Sequence, residues 1–420
     1  MAEVIDSDSH VYEPAAVWDD FVPAEHRRLA TTAFHHVIDP EGTESIVLNG
    51  QAGKSLNRTK LVRQAIWRPG MTVEDIGAFD PDVFRPLNPG ASEAGARLED
   101  MDVLGIDQAV VYPTLFNEYL PQVGDPEAAA VLARAYNDWV FELAAQGNGR
   151  LHPVAVLPLQ APDLALEELE RTAAKGFRGV LFRPAFYDLD AAVESYGRRM
   201  SAMMAVQGTG AAAPPMVFVE DLPFRALWQR ADELGVVACV HPSLGITGSD
   251  AVSSGAFADR VSHRLAGVNH TIAEPIAYMQ DADLFVTAAL FHGLLEDLPN
   301  LRLAIAHSGA TWVPLALEKS ETYLWLGGMG SASVCLEPEE VWDRHPIVVS
   351  FDSWEKPVAR RPDTLGEKAA WGSRYPHHDA AGPGEARGML EEHGVSEARI
   401  EQLMGGHCAA LFGLPVGAGV

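Results

Sequence analysis

Positive charge is scarce in this chain. Its 420 residues include 31 Lys and Arg against 58 Asp and Glu, which gives a formal net charge of −27. Nucleic acids and anionic membrane surfaces bind proteins that present concentrated positive charge. The sequence therefore predicts neither a nucleic-acid partner nor a membrane partner, and solubility is the simplest explanation of the acidity.

Cysteine and long apolar runs are scarce as well. The three cysteines, Cys239, Cys335 and Cys408, form no CxxC pair, so we expect no disulfide framework and a reducing compartment. The longest apolar run, 284–295, contains His292 and is shorter than the ~20 residues that a membrane span needs. The N-terminus MAEVIDSDSH lacks the basic start and apolar stretch of a signal peptide. These features predict a cytoplasmic protein.

Nucleotide-binding glycine motifs are missing too. No GxGxxG or GxxxxGK follows an early strand, which argues against a doubly wound sheet. Instead, short β-branched runs alternate with longer helical patterns, which is typical of parallel βαβ units. The predicted strands lie at 3–8, 108–114, 152–158, 179–185, 236–243, 302–309, 347–353 and 369–377. Such a series predicts an α/β fold, a (β/α)₈ TIM barrel that spans 1–420 as one domain.

The chain is longer than a minimal barrel, and the surplus falls into insertions. We place them at about 14–92, 186–221, 244–277 and 327–345. Each follows the end of a predicted strand. In a barrel this is where the βα loops build the active face, so the insertions are predicted to surround the site.

Polar residues at the carboxyl ends of predicted strands carry the functional signal. The first strand ends in Asp8 and His10, the fifth in His241 and the sixth in His307. Residues two apart in a strand point to the same face, so Asp8 and His10 can both face the barrel mouth. A carboxylate and imidazoles gathered there suit Zn²⁺, Mn²⁺ or Fe²⁺ with positions left for water or substrate.

Longer motifs resemble a known family. They are IDSDSHVYEPAAVW at 5–18, RLEDMDVLGID at 97–107, PNLRLAIAH at 299–307, HSGATWVPLALEK at 307–319, WGSRYPHHD at 371–379 and AALFGL at 409–414. Over nearly the whole chain, the sequence resembles the amidohydrolase-related family of the amidohydrolase superfamily, which includes aminocarboxymuconate semialdehyde decarboxylase. The resemblance implies a TIM-barrel enzyme with a divalent metal, for which we expect zinc.

The resemblance also implies roles for the residues at the strand ends. The family's first strand supplies two metal ligands, usually as HxH, and these match Asp8 and His10. Its fifth-strand ligand matches His241. Its sixth-strand histidine, which activates the metal-bound water or substrate, matches His307, and this role needs an imidazole within hydrogen-bond reach.

One position departs from the family. Where the eighth strand of the family carries a metal-binding Asp in a motif like SDYPH, this chain has Arg374, and a guanidinium cannot bind a cation. Three explanations stay open. Asp379 or His377 supplies the missing ligand; the metal sits on three protein ligands plus water; or Arg374 pairs with Asp8 and its charge replaces the metal.

Further residues are candidates for contact with the substrate. Arg183, at the end of the fourth strand, could bind an acidic group or form a salt bridge with a barrel acid. His377 and Asp379 are also predicted to bind substrate. Glu13 and Asp352 are possible polar contributors because each lies close to the end of a strand.

Three functions remain open from the sequence. The leading one is metal-assisted decarboxylation or hydrolysis of a small carboxylated or cyclic metabolite, an anionic substrate included. The second is a metal-free acid/base enzyme, such as a hydratase or cyclase, that uses His307 and Arg374. The third is a non-catalytic binding protein. The resemblance also implies a homodimer.

Overall fold

The computed structural model describes residues 2–40, 44–55, 65–72, 75, 87–183, 185–187, 216–218, 224–242, 274–291, 293–327 and 337–417. Most of the predicted insertions 186–221 and 244–277 therefore lie outside the described residues. The same holds for 328–336 of the insertion 327–345 and for 41–43, 56–64, 73–74 and 76–86 of the insertion 14–92. The assignment of 1–420 to one domain stays a prediction.

Eight parallel strands form the central sheet, in the order in which they occur along the chain. They are β1 (Ile5–His10), β2 (Gln108–Tyr112), β3 (Leu151–Val156), β4 (Gly179–Phe182), β5 (Val237–Val240), β6 (Leu303–Ile305), β7 (Ile347–Phe351) and β8 (Ala369–Trp371). All eight coincide with predicted strands. Nearly every strand residue is buried, as expected of parallel strands that are covered by helices.

The first and last strands meet, so the sheet curves round into a barrel. The backbone N–H of Arg374 donates to Asp8 O at 2.8 Å, and the N–H of His10 donates to Tyr375 O at 2.6 Å. The contact is close at Gly372, where an added Cβ would lie 2.5 Å from the Cβ of Asp8. A residue without a side chain is therefore needed beside Asp8. The predicted (β/α)₈ barrel is confirmed.

The helices of the barrel begin and end where the sequence signals predict. Pro126–Ala145 begins after Asp125, whose carboxylate accepts from two backbone N–H groups of the first turn. Pro162–Lys175 ends at Gly176 with φ of 104°, and Arg225–Leu234 ends at Gly235 with φ of 67°. The remaining α-helices are Ala16–Asp20, Arg27–Ala33, Ala94–Leu104, Leu115–Tyr119, Glu274–Phe291, Leu294–Asp297, Val313–Gly327, Pro338–Arg344, Lys356–Arg360, Pro383–Glu392, Glu397–Glu401 and His407–Phe412.

Two small antiparallel sheets and several short helical turns lie outside the barrel strands. The insertion after β1 contains an antiparallel sheet of Phe34–Ile38, Glu44–Leu48 and Gln51–Ser55, and a second sheet pairs Ala185–Tyr187 with Met216–Phe218. Short 3₁₀ turns occur at Ala24–His26, Pro89–Ala91, Leu120–Gln122 and Leu365–Glu367, and a π-helical turn at Gln402–Gly406. Within the described ranges, no helix is long and apolar enough to cross a membrane.

Candidate active site

Four side chains converge at the barrel mouth: Asp8, His10, His241 and His307. Each offers one ligand atom, and these atoms all lie within 4.8 Å of one another. All four residues are buried. The histidine rings of His10 and His241 are perpendicular at 5.1 Å, as are those of His10 and His307 at 5.3 Å. We call this set the Asp–His cluster. The structure thus brings together the residues that the strand ends predict.

The ligand atoms of the cluster have no hydrogen-bond partner. Asp8 Oδ1, His10 Nε2, His241 Nε2 and His307 Nδ1 are all buried and unpaired. Leaving one buried polar atom unpaired costs about 1–3 kcal/mol, so four such atoms aimed at one point are costly unless a ligand satisfies them. Their convergence is the property expected of a metal site, and one carboxylate with three imidazoles fits a divalent ion.

Neighbouring carbonyls set the tautomers of two rings. His10 Nδ1 lies 3.0 Å from Pro113 O, and His241 Nδ1 lies 2.6 Å from Pro242 O. A carbonyl only accepts, so each ring holds its proton at Nδ1 and turns the lone pair of Nε2 into the cluster. This arrangement, in which the outer nitrogen of a histidine donates to a carbonyl, is common around protein-bound metals.

The charge state of the cluster also suits a cation. Burial raises the pKa of Asp8, but His307 and His10 lower it further, and the net pKa lies well below its usual value. Burial, and then His307 and His10, hold the pKa of His241 well below its usual value. Burial and Arg374 lower the pKa of His307 to about 4. At neutral pH the three groups are therefore one carboxylate and two neutral imidazoles, the forms that bind metals.

The position of His307 is compatible with two roles, metal ligand and acid/base. Its Nδ1 lies 3.4 Å from Asp8 Oδ2, within the Asp–His cluster, so it could serve as a fourth ligand as well as the predicted acid/base. Its backbone has φ of 59°, a left-handed conformation that is unfavourable for a histidine. The hydroxyl of Ser350 on β7 accepts from its N–H at 2.8 Å. Such strain at a strand end is common in active sites.

Arg374 forms ion pairs with two acids other than Asp8. Its Nε and Nη2 each lie 2.9 Å from an oxygen of Asp352, and its Nη1 donates to Asp379 Oδ2 at 2.7 Å. We call these three residues the arginine triad. Burial lowers the pKa of Arg374, but Asp352 and Asp379 raise it more, so it stays charged. The explanation in which Arg374 pairs with Asp8 is therefore wrong for this structure.

The proposed replacement ligands also lie elsewhere. Asp379 is engaged by Arg374, and His377 Nε2 lies 3.0 Å from the hydroxyl of Thr114. The ring of His377 stacks on that of His10 at 4.2 Å. Neither residue belongs to the Asp–His cluster among the described residues. His377 thus forms a wall of the cluster, and the explanation that keeps the metal on the remaining ligands fits the geometry best.

Two supporting residues have roles that the sequence did not reveal. The carboxylate of Glu13 accepts from the backbone N–H groups of Thr114, Leu115 and Phe116, at 2.9–3.2 Å. It thereby fixes the start of the helix Leu115–Tyr119. That helix carries Asn117, whose Nδ2 lies 3.0 Å from His241 Nδ1. Glu13 was singled out only as a possible polar contributor, and nothing in the sequence marks Asn117.

Arg183 lies beside the cluster. It is 2 % exposed, and its Nη1 donates to the backbone carbonyl of Asn117, while Nε and Nη2 have no partner. Among the described residues, no carboxylate forms an ion pair with it. The salt bridge that the sequence leaves open for Arg183 is thus not formed with any described acid.

Comparisons with known proteins agree with this geometry. A family model described as Amidohydrolase matches residues 32–414. Among curated proteins, a gamma-resorcylate decarboxylase of Rhizobium sp. (strain MTP-10005) is 25% identical over 242 residues, which cover 57% of this chain and only 63% of that relative. A 2-amino-3-carboxymuconate-6-semialdehyde decarboxylase of Dictyostelium discoideum is 19% identical and matches 80% of this chain and 81% of its own.

Solved structures share the fold. An amidohydrolase from Mycobacterium avium subsp. paratuberculosis K-10 superposes with a TM-score of 0.71 at 19% identity, covering 99% of this chain and 98% of its own. A dihydroxybenzoic acid decarboxylase from Polaromonas sp. JS666, with bound manganese and the inhibitor 2-nitroresorcinol, superposes with a TM-score of 0.62 at 16% identity, with the same coverage. The family match confirms the predicted resemblance, and the superpositions confirm the predicted barrel.

Proposed function

Because this chain belongs to the amidohydrolase family, we propose that it is a metal-dependent decarboxylase of small aromatic carboxylates. The observation that carries the proposal is the Asp–His cluster, with its four buried, unpaired ligand atoms. The names of the relatives favour decarboxylation over the hydrolysis that the sequence leaves open, since both curated relatives named above are decarboxylases.

Asp8, His10 and His241 are the residues that would hold the ion. Their donor set of one carboxylate oxygen and two imidazole nitrogens accommodates zinc, which the resemblance implies, and equally manganese, which a structural neighbour binds. When bound, the ion supplies positive charge that orients the oxygen atoms of the substrate and stabilises negative charge on it.

The chain itself must provide a proton. Loss of CO₂ from an aromatic ring breaks a carbon–carbon bond, and the electron pair of that bond ends in a new bond between the ring carbon and hydrogen. We assign the delivery of this proton to His307. Nδ1 faces Asp8 Oδ2 at 3.4 Å, and a carboxylate only accepts, so the neutral ring carries its proton at Nδ1 and leaves Nε2 free. Nε2 first takes up a proton from a substrate hydroxyl or from water, and the resulting imidazolium delivers a proton to the ring carbon. The stacked ring of His377 helps to exclude water from the cluster.

The reaction can be tested with defined compounds. The metal-loaded protein is incubated with 2,6-dihydroxybenzoate and with 5-carboxyvanillate, and release of CO₂ is measured beside incorporation of ¹⁸O from labelled water. We expect CO₂ without ¹⁸O in the aromatic product. Incorporation of ¹⁸O into product would show hydrolysis instead. The His10→Ala variant serves as the control for contaminating activity.

A metal-free acid/base enzyme is less consistent with the geometry. In that reading Arg374 would hold a substrate group, but its guanidinium is engaged by Asp352 and Asp379. A non-catalytic binding protein is also disfavoured, because it would gain nothing from four converging unpaired atoms. Turnover that persists in excess chelator would revive the metal-free reading. Cytoplasmic localisation and a homodimer remain predictions from the sequence.

A further inference from the structure

Three arginines of the described residues are buried: Arg97, Arg183 and Arg374. Arg97 donates to Gly90 O, Ser9 Oγ and His10 O, so each of its three nitrogens has a partner. Arg374 is engaged by the acids of the arginine triad. Arg183 differs, because only its Nη1 is bound. A buried cation with unused donors is costly, so this difference calls for an explanation.

The position of Arg183 puts it in the site. Strands β4 and β5 pair with Phe182 beside Val240, and His241 N donates to Phe182 O at 3.3 Å. Arg183 and His241 therefore occupy adjacent positions at the barrel mouth. Phe182 packs outward on Trp228, with ring centroids 3.9 Å apart, and the next residue along a strand points the opposite way. Asn117 links Arg183 to His241 on the other side.

The two free nitrogens, Nε and Nη2, form one edge of the guanidinium. Two parallel N–H bonds on this edge match the two oxygens of a carboxylate. In the same molecule this edge of Arg374 faces a carboxylate: Nε and Nη2 each lie 2.9 Å from an oxygen of Asp352, and Nη2 donates to it. Burial lowers the pKa of Arg183, and Glu118 and Asp281, which act through space, offset only part of this lowering. Neither accepts a hydrogen bond from Nε or Nη2.

The chemistry of decarboxylation limits what this edge can bind. The carboxylate that leaves gives up its negative charge as CO₂ forms, so a guanidinium held on it would stabilise the starting state and oppose the reaction. A group that keeps its charge throughout carries no such penalty. We propose that Arg183 binds a second carboxylate, one that the substrate retains, and that the preferred substrates are aromatic dicarboxylates. This inference rests on the proposed function.

Binding of simple ligands tests the inference without turnover. Isophthalate, with two carboxylates, and benzoate, with one, are titrated calorimetrically into the metal-loaded wild type and into Arg183→Gln, Arg183→Lys and Arg302→Gln. Arg302 is the matched control: it also donates to a backbone carbonyl, that of Leu411, but lies at the amino end of β6, away from the mouth. Circular dichroism and thermal unfolding check that each variant is folded.

We expect Arg183→Gln to weaken isophthalate binding about tenfold to a hundredfold, as for loss of charged hydrogen bonds, and benzoate binding less than about threefold. Arg183→Lys should recover only part of the loss, because lysine lacks the two-pronged edge, and Arg302→Gln should bind both ligands like the wild type. The inference is overturned if Arg183→Gln loses affinity for both ligands equally or loses none. It is also overturned if the wild type does not bind isophthalate more tightly than benzoate.

If Arg183→Gln does not fold, the comparison of Arg183→Lys with the wild type decides by the same criterion. Metal content and CO₂ release are measured separately on the wild type. If the wild type binds no metal or releases no CO₂ but still prefers isophthalate, the proposed reaction is contradicted and the carboxylate site at Arg183 is retained. A bound metal with active decarboxylation and no dicarboxylate preference would contradict only the role of Arg183.

Discussion

Two sides of the barrel mouth carry groups of ionisable side chains, and they differ in whether those side chains find partners within the protein. In the Asp–His cluster, each of the four residues has a ligand atom without a hydrogen-bond partner. In the arginine triad, across the seam where β8 meets β1, the guanidinium is engaged by two carboxylates. In the triad the charge of the arginine is matched by carboxylates and only Arg374 Nε lacks a hydrogen bond, whereas in the cluster four ligand atoms lack one. Since buried polar groups are normally paired, the incomplete side is the one built to bind something.

The comparison also explains how the site tolerates an arginine where the family has an acid. Both His307 and Arg374 have left-handed backbones with φ of 59°, and they lie two and three residues past the ends of β6 and β8. At Arg374 the side chain is held by Asp352 and Asp379, so its charge is neutralised locally instead of repelling a cation at Asp8. We therefore expect the two sides to respond differently to mutation.

The largest expected effect is on the cluster. His241→Ala removes a ligand whose lone pair points into the cluster, so we expect metal content and decarboxylation to fall by more than the 10–100-fold typical of supporting residues. Elemental analysis and a CO₂ assay measure this. His307→Ala sharpens the result: loss of activity with metal retained supports the acid/base role, whereas loss of both makes His307 a ligand.

The next effect is on stability and belongs to the triad. Arg374→Gln leaves Asp352 and Asp379, each 32% exposed, without their cation. Breaking a fully buried ion pair costs about 3–5 kcal/mol, so for these partly exposed acids we expect a loss of about 2–3 kcal/mol. Denaturant unfolding measures it. Arg387→Gln is the matched control, since Arg387 also joins two carboxylates, Glu391 and Glu397, but on the surface. We expect at most about 1 kcal/mol there. Equal losses of unfolding free energy in the two variants would show that the arginine triad stabilises the fold no more than a surface ion pair does.

A smaller effect is expected at the support of the cluster. Asn117→Ala removes the amide that donates to Pro242 O at 3.4 Å and packs 3.0 Å from His241 Nδ1, so Pro242 O is left to position that ring without this support. We predict a 10–100-fold loss of metal affinity with little change in stability. Competition with a chelating dye measures the affinity. An unchanged affinity would mean that Pro242 O alone fixes the ring.

The smallest effect concerns pH. Burial raises the pKa of Asp379, but Arg374 lowers it more, and the net pKa lies below the usual value. A carboxyl with a lowered folded-state pKa contributes stability above its unfolded pKa, near 4, and loses it as pH falls. We expect the stability gap between wild type and Asp379→Asn to shrink by up to about 1.4 kcal/mol per pH unit below pH 4. A gap independent of pH would mean that Arg374 does not act on this carboxyl.

Much of the barrel could be predicted, because the period of the apolar runs and the glycine stops are local signals. The predicted ends of two strands lie too far along the chain: β6 ends at Ile305 instead of 309, and β8 ends at Trp371 instead of 377. After each of these strands the backbone leaves the sheet and soon reaches a residue in the left-handed conformation, His307 after β6 and Arg374 after β8. Nothing in the sequence indicates that these two residues adopt that conformation.

The cluster could be predicted for the same reason, since barrel topology alone brings the strand ends together. The partners of Arg374 could not, because Asp352 reaches it across β7 and β8 and Asp379 from a loop, and these contacts depend on three-dimensional position. Asn117 escaped notice because a single amide in a helix carries no pattern. Its importance follows only from its distance to His241.

The most direct test of this account is the metal content of the protein purified without chelators. If the Asp–His cluster is a metal site, elemental analysis will find about one divalent transition metal per chain, and His10→Ala, with the same purification, will have lost it. A wild type that carries no such metal, does not take up added Mn²⁺ or Zn²⁺, and still turns over its substrate in excess chelator would contradict the central claim.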